Sequence, residues 1–309
     1  MHTQSSLYIL RKRLFILCFI SINLFATQGL LAKEALPEVK TLRVNNYDMA
    51  YVERGNGAPL ILVHGSLSDY RTWLPLLEEF SETNRTIAVS LRHYYPEQWD
   101  GKGNDLTLEQ HADDLAAFIR TLNIGPVFLL GHSRGGAVAL LTASKHPEQI
   151  RKLILADPSP LTSMLPKRQK VQADADTRKA KLQEVMKYYR RGDTEAGLKE
   201  LVSYVAGEKA WEGTSEERRD SLRANLWTPI SLLNDIETPF SCTDAGNLSV
   251  PVLMITGERS APLYGHMNSA LRSCLKQASS AIIADAGHMM FHANPTAFIF
   301  EVQDFIAPQ

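Results

Sequence analysis

The sequence feature that most constrains the fold is a short glycine-rich turn around Ser133. The apolar run Pro126–Leu130 leads directly into the hexapeptide Gly131–Gly136 (GHSRGG), and an alanine-rich stretch follows. A buried strand that runs into G-x-S-x-G and then into a helix is the context of a nucleophile elbow, a tight turn that exposes a serine hydroxyl above the strand end. The glycines are needed because side chains would collide in such a turn. We therefore predict that Ser133 is a nucleophile.

Predicted strands and helices alternate on both sides of this turn. Apolar or alternating runs predict strands near residues 41–44, 49–53, 59–64, 86–91, 126–130, 151–157, 250–256 and 280–284. Helical spacing of apolar residues predicts helices near 70–80, 106–122, 135–145, 268–275 and 295–306. This alternation predicts an α/β fold, a mostly parallel, doubly wound sheet that helices cover on both faces.

The alternation is interrupted once, after the strand that ends at Asp157. From about residue 160 to 247 the chain is charged and shows helical spacing at 179–191, 194–206 and 215–227. We expect this block to be a helical cap, inserted into one domain of residues 33–309, above the carboxyl edge of the sheet. Active sites of such folds lie at that edge.

The first 32 residues are predicted to be a signal peptide. Arg11–Arg13 form a basic segment, Leu14–Phe25 is apolar apart from two residues, and small residues follow up to Ala32. The apolar stretch is shorter than the ~20 residues that a membrane-spanning helix needs. We expect export to the periplasm or the medium, with an uncleaved N-terminal anchor as the alternative and no other membrane contact.

The net charge indicates the class of ligand, and the predicted export bears on the state of the cysteines. The formal net charge is -1, so no basic excess indicates nucleic acid, and we expect a small-molecule substrate. Of three cysteines, Cys18 lies in the predicted signal peptide, leaving Cys242 and Cys274. In an oxidising compartment these two residues either form a disulfide or remain two buried thiols. The oligomeric state stays open.

From about Thr41 onwards the chain resembles the capped α/β-hydrolases. The resemblance rests on four features in order: His64-Gly65 after a strand, the elbow at Ser133, a strand ending at Gly257-Glu258, and Ala286-Gly287-His288 near the C-terminus. It implies a cofactor-free hydrolase in which His288, just after the last strand, is the base that activates the serine.

The acid of the triad departs from the family's common pattern. The usual carboxylate lies two residues beyond Glu258, where this chain has Ser260. A serine cannot carry the negative charge that stabilises the imidazolium. We favour Asp157, at the tip of the strand after the elbow helix. Glu258 is the second candidate, and a Ser–His dyad assisted by water or backbone is the third.

Two backbone N–H groups are expected to form an oxyanion hole. One belongs to Arg134, directly after the nucleophile, and the other to Ser66, with Leu67 as the next candidate. Leu67 and the aromatic pair His93 and Tyr94 are candidates for lining the substrate pocket. The alternative for the aromatic pair is packing within its own loop.

The spacing of His288 and His292 could suggest a metal, but no third ligand is recognisable, and we predict no metal site. The sequence thus predicts a serine hydrolase that acts on a small ester, thioester, lactone or amide. The alternatives are other serine chemistry on this fold, such as carbon–carbon bond hydrolysis or cofactor-free perhydrolysis, and a non-catalytic ligand-binding protein.

Overall fold

Eight strands form a single sheet in the computed structural model, which describes residues 36–308. The predicted signal peptide lies outside the described residues. The strands are β1 (Lys40–Val44), β2 (Tyr47–Arg54), β3 (Ala58–Val63), β4 (Asn84–Val89), β5 (Val127–His132), β6 (Ile150–Ala156), β7 (Val252–Gly257) and β8 (Ala278–Ile283). Their order across the sheet is β1-β2-β4-β3-β5-β6-β7-β8.

The sheet is antiparallel only at one edge. β1 pairs with β2 and β2 with β4 in antiparallel register, and every pair from β4 to β8 is parallel. Asn45 and Asn46 join β1 to β2 with φ angles of 44° and 61°, which is the backbone of a tight hairpin turn. The predicted α/β fold with a mostly parallel sheet is confirmed.

Helices cover both faces of the sheet. The helices are α1 (Leu74–Ser81), α2 (Leu108–Leu122), α3 (Arg134–Lys145), α4 (Gln169–Arg190), α5 (Thr194–Ala206), α6 (Glu216–Arg223), α7 (Ile230–Asn234), α8 (Cys242–Gly246), α9 (Pro262–Cys274), α10 (Met290–Ala293) and α11 (Pro295–Ile306). Apolar side chains of α2, α3 and α9 pack on one face, and those of α1, α10 and α11 pack on the other. Because both faces are buried, the central strands are continuous apolar runs.

Helices α4 to α8 lie between β6 and β7, and four of them share an apolar core. This core joins side chains of α4, α5 and α6, including Leu182, Leu198 and Leu222, with Trp211 from a loop. α4 begins ten residues before the predicted start. The sequence prediction missed these first turns because they are polar and bury only Val171 and Arg178. Within residues 36–308 no helix is long and apolar enough to cross a membrane.

The strand order places several loops at one edge. β3 lies between β4 and β5, so the chain leaves β3 in one direction across the sheet and β5 in the other. Such a switch point opens a crevice beyond the carboxyl ends of the strands, where ligands of α/β proteins bind. The segments that leave β3, β5 and β6 at this edge begin with His64, Ser133 and Asp157.

Candidate active site

Ser133 lies at a sharp turn between β5 and α3. Its φ of 53° and ψ of −122° fall outside the regions that residues with a side chain normally adopt. A Cβ on Gly131 would lie 2.2 Å from the carbonyl oxygen of Gly135, and a Cβ on Gly135 would lie 2.3 Å from that of His64. Because no side chain fits at either position, both glycines are required for the turn that carries Ser133.

His288 and Asp157 meet at the same edge of the sheet. His288 lies in the segment between β8 and α10, and Asp157 follows β6 with a φ of 41°. Their side chains are 4% and 0% exposed, and His288 Nδ1 lies 3.3 Å from Asp157 Oδ2. With its proton on Nδ1, the ring donates to the carboxylate, and Nε2 is left to accept a proton.

Ser260 contacts Asp157 from the end of β7. Its hydroxyl donates to Asp157 Oδ2 at 2.5 Å, whereas Asp157 Oδ1 has no hydrogen-bond partner within residues 36–308. Burial raises the pKa of Asp157 to about 7, against the opposing effects of the Ser260 hydroxyl and the Gly257 backbone N–H. The carboxylate is therefore held in place by neighbours that only partly replace its hydration.

The environment of His288 favours the neutral imidazole. Burial and, to a smaller extent, the positive charge of Arg178 together lower its pKa to about 3. A neutral ring is the form that accepts a proton as a general base. Among the described residues no hydrogen bond joins Ser133 Oγ to His288, and catalytic contacts of this kind are often long until substrate is bound.

Glu258, the second candidate acid, lies elsewhere. Its side chain is exposed and accepts a hydrogen bond from the backbone N–H of Asp285 at 2.9 Å. Among the hydrogen bonds of His288 the carboxylate partner is Asp157. Of the two candidate acids, the structure thus brings only Asp157 to His288.

The predicted oxyanion donors lie on either side of Ser133. The N–H of Arg134 is in the first turn of α3, where N–H groups lack partners within the helix, and the N–H of Ser66 follows β3. Neither N–H has a hydrogen-bond partner within the described chain. The N–H of Leu67, in contrast, donates to Thr228 Oγ1 at 3.0 Å and is not free. Ser66 and Arg134 are therefore the available pair.

A cavity of about 1060 Å³, including its mouth, lies between the sheet edge and the cap. Its floor contains Ser133, His288 and the Ser66–Ser68 segment, which includes Leu67. The cap side is mostly apolar and includes Leu182, Leu201, Val202, Val205, Leu222 and Leu232. A concave apolar site with a few polar groups is typical of small-molecule binding.

Comparison with known proteins decides the family. Residues 60–302 match the model of a family described as "Alpha/beta hydrolase family". The chain belongs to this alpha/beta hydrolase family. The match extends from β3 into α11 and so includes Ser133, Asp157 and His288.

Individual relatives of this hydrolase are distant. The chain is 26% identical over 262 residues to the (E)-2-((N-methylformamido)methylene)succinate hydrolase of Acinetobacter baylyi, covering 81% of this chain and 91% of that one. The fold of this chain is similar to that of a thermophilic esterase from Thermogutta terrifontis. The TM-score is 0.69 at 24% identity, and the match covers 88% of this chain and 98% of the esterase. An enol-lactonase from Burkholderia xenovorans gives a TM-score of 0.69 at 19% identity, with coverage of 86% and 99%.

Tyr264 is a site residue that the sequence did not reveal. Its ring stacks on that of His288, with centroids 4.2 Å apart and planes 18° from parallel. Burial raises the pKa of its hydroxyl well above the ordinary value, so the group stays neutral. Tyr264 follows Pro262 in the first turn of α9, and a lone tyrosine there gives no sequence signal for a role beside the base.

The side chain of Arg134 ties the elbow helix to the cap. It is fully buried, and its Nε donates to Asp235 Oδ2 at 2.6 Å. Its Nη1 donates to Nδ1 of His111 at 2.5 Å, and burial keeps that imidazole neutral by lowering its pKa. One residue therefore contributes its backbone to the site and its side chain to the attachment of the cap.

His93 and Tyr94 do not line the cavity. Tyr94 is fully buried and packs edge-on against His64, with centroids 4.5 Å apart. His93 forms hydrogen bonds with Glu97 and Asp105 and stacks on a tryptophan of its own loop. The His93 ring is thus held within the loop after β4, and the Tyr94 ring is buried against His64 after β3, so the prediction that they line the substrate pocket is not supported.

The remaining candidates are a histidine and two cysteines. His292 Nε2 lies 3.2 Å from the hydroxyl of Thr72, and within residues 36–308 no group of three His, Cys, Asp or Glu side chains has a metal-binding arrangement. Cys242 and Cys274 form a disulfide that joins α8 to the end of α9. The bridge links the segment that leaves the cap to a helix that packs on the sheet.

Proposed function

We propose that this hydrolase cleaves an ester-like carbonyl compound through an acyl-Ser133 intermediate. The observation that carries the proposal is that Ser133, on a strained turn, shares one cavity with His288, whose Nδ1 faces the buried carboxylate of Asp157. A serine hydroxyl is a weak nucleophile near neutral pH and needs such a base.

The geometry supports a two-step acyl transfer. His288 Nε2 takes the proton of Ser133 Oγ while the oxygen attacks the carbonyl carbon, and the N–H groups of Ser66 and Arg134 stabilise the oxyanion. The protonated imidazole then gives this proton to the leaving group, and the acyl-serine ester remains. Water attacks that ester with His288 again as base, which releases the carboxylic acid and restores Ser133.

The first test is covalent labelling with a fluorophosphonate, followed by a panel of esters, thioesters, lactones and amides. Ser133→Ala and His288→Ala should each abolish labelling and turnover, because nucleophile and base act as one unit worth ~10⁶-fold in rate. Ser144→Ala, on the same helix as the elbow, is the matched control and should behave like the parent. Turnover by Ser133→Ala within tenfold of the parent would disprove the mechanism.

The panel includes amides because the Acinetobacter relative is named as the hydrolase of a formamido compound. Labelling of Ser133 without turnover of any panel member would point to other serine chemistry, such as carbon–carbon bond hydrolysis. Absence of labelling together with ligand binding would indicate a binding protein on a hydrolase scaffold.

We also propose that the protein is exported. The basic and apolar segments before Ala32 support this proposal, and so does the Cys242–Cys274 disulfide, because disulfides persist mainly in oxidising compartments. Mass spectrometry of the N-terminus of the protein from its native cells tests it. A mature chain that begins shortly after Ala32 is expected, and an intact N-terminus in the cytoplasmic fraction would contradict it.

A further inference from the structure

Two arginines reach the catalytic cavity from the cap. Arg178 lies on α4 and Arg218 on α6, and both line the cavity that contains Ser133 and His288. Among the described residues that line this cavity there is no aspartate and no glutamate. The wall that faces the nucleophile therefore carries two positive charges and no negative charge.

Arg178 lacks a carboxylate partner. Arg178 is 8% exposed. Within residues 36–308 its side chain makes one hydrogen bond, which Nη2 donates to Ser159 Oγ at 3.2 Å. The buried carboxylate of Asp235 is already held by Arg134. A single neutral hydroxyl replaces little of the hydration that a guanidinium loses on burial.

Arg218 is also unpaired. In the described part of the chain its guanidinium makes no hydrogen bond or ion pair, and burial lowers its pKa. The negative charge of Asp69 raises the pKa of Arg218, against the effect of burial. Both carboxylate oxygens of Asp69 already accept hydrogen bonds from Arg71, however, and one also accepts from Asn225. Arg218 therefore retains its donors.

Two other arginines of this region have carboxylate partners. Arg134 is buried against Asp235, and the exposed Arg223 bonds to Glu195, Glu216 and Asp220. A buried charge without a partner costs free energy. In a ligand cavity, the partner that removes this cost is an anion supplied by the ligand.

We infer that Arg178 and Arg218 form a subsite for a carboxylate of the substrate, so that the preferred substrates are esters or amides of carboxylate-bearing acids or leaving groups. The inference rests on the proposed function for its catalytic part. Guanidinium groups suit a planar carboxylate because their fixed donors match its two oxygens. The apolar cap side chains would contact the chain between the carboxylate and the scissile carbonyl.

The arginines also act on the two histidines of the cavity. Beyond the effect of burial, Arg178 lowers the pKa of His288 and Arg218 lowers that of His292. A bound carboxylate offsets these charges and makes His288 a stronger base. Substrate charge and base strength are therefore coupled in the direction that favours turnover of anionic substrates.

The first experiment measures binding without hydrolysis. The parent protein is titrated calorimetrically with glutarate, with the neutral glutaramide, and with inorganic phosphate. Glutarate should bind, glutaramide should bind far more weakly, and Arg218→Gln should weaken glutarate binding about 10- to 100-fold, as expected for losing a charged hydrogen bond. Arg219→Gln is the matched control, because Arg219 lies on the same helix but packs on Trp211 and does not line the cavity.

The second experiment compares 4-nitrophenyl hemiglutarate with 4-nitrophenyl pentanoate. The ratio of their kcat/KM values should favour the hemiglutarate, fall about 10- to 100-fold in Arg218→Gln and Arg178→Gln, and stay unchanged in Arg219→Gln. If neither ester is hydrolysed but glutarate binding depends on Arg218, the proposed function fails and the subsite stands. Equal binding of glutarate and glutaramide, or equal effects of the Arg218 and Arg219 variants, overturns the subsite. Phosphate binding without glutarate binding overturns the carboxylate assignment.

Discussion

Replacing Asp157 with Asn tests the acid of the triad by two independent measurements. The change keeps the shape of the side chain and removes its charge. In the structure Asp157 Oδ2 accepts from Ser260 Oγ at 2.5 Å and faces His288 Nδ1 at 3.3 Å. In either orientation of the amide, the negative charge that stabilises the protonated ring is lost.

The expected loss of activity is large. In a serine triad this substitution lowers kcat by ~10⁴, which corresponds to ~5.5 kcal/mol of transition-state stabilisation. Glu258→Gln is the matched control, because Glu258 is exposed and bonds to the backbone of Asp285 instead of the base. A mild effect of Asp157→Asn with a severe effect of Glu258→Gln would move the acid, and two mild effects would favour a dyad.

The same variant should become more stable relative to the parent as the pH rises. Burial raises the pKa of Asp157 from its ordinary 3.8 to about 7, so the folded protein holds this proton more tightly than the unfolded chain does. The resulting stabilisation is complete below the unfolded pKa and is lost as pH rises through the folded pKa. From about pH 5 to about pH 8 the parent should lose ~2–3 kcal/mol through this group, a loss that a neutral asparagine does not share.

Urea unfolding followed by tryptophan fluorescence at a series of pH values measures this difference. The free energy of unfolding of Asp157→Asn minus that of the parent should increase by ~2–3 kcal/mol across the interval, since other groups titrate alike in both proteins. A difference that is constant or that decreases with pH would refute the argument that desolvation dominates at Asp157. The predicted loss of kcat in Asp157→Asn does not depend on the outcome of this stability measurement.

The other predictions concern the cap and the ring beside the base. Asp235→Ala leaves a buried arginine of α3 without its carboxylate and should cost ~3–5 kcal/mol in urea unfolding, whereas the exposed Asp193→Ala should change stability by less than ~0.5 kcal/mol. Reduction of the Cys242–Cys274 bridge, which spans 32 residues, should lower stability by ~3–4 kcal/mol, and an unchanged melting temperature in reductant would contradict its structural role. Tyr264→Leu should lower kcat about 10- to 100-fold with little change in KM, because the stacked ring positions the base, and Tyr264→Phe should restore most of the rate.

Local sequence patterns account for the sheet and for the position of Ser133. The strand β5 is a continuous apolar run, and the turn that follows needs glycine for steric reasons that involve only neighbouring segments. Parallel strands end at one edge, so the His288 segment leaves β8 at the same edge as Ser133, although β6 and β7 lie between β5 and β8. The antiparallel hairpin is equally local, because two consecutive asparagines with positive φ form its turn.

The contribution of the cap could not be predicted from such patterns. Three arginines of the cap lie on polar helices and look alike in the sequence. Tertiary packing places Arg178 and Arg218 in a cavity without a carboxylate partner, whereas Arg223 is exposed and forms ion pairs. The first turns of α4 likewise have little apolar periodicity, so their helical state follows from neighbouring turns. His93 and Tyr94 follow a strand that ends at the correct edge, but His93 bonds within its own loop and Tyr94 packs against His64 after β3.

The position of Asp157 shows how geometry explains a departure from a family pattern. β6 and β7 are neighbouring parallel strands, so Asp157 and Ser260 both lie beyond carboxyl ends at the same edge. The family's usual position for the acid, residue 260 here, therefore adjoins Asp157, whose carboxylate faces His288 Nδ1. The hydroxyl of Ser260 then donates to the relocated carboxylate, a bond that a second carboxylate at that position would replace with repulsion. Serine at position 260 and aspartate at position 157 are therefore complementary, and Ser260→Asp should impair the Asp157–His288 pair instead of restoring a more usual triad.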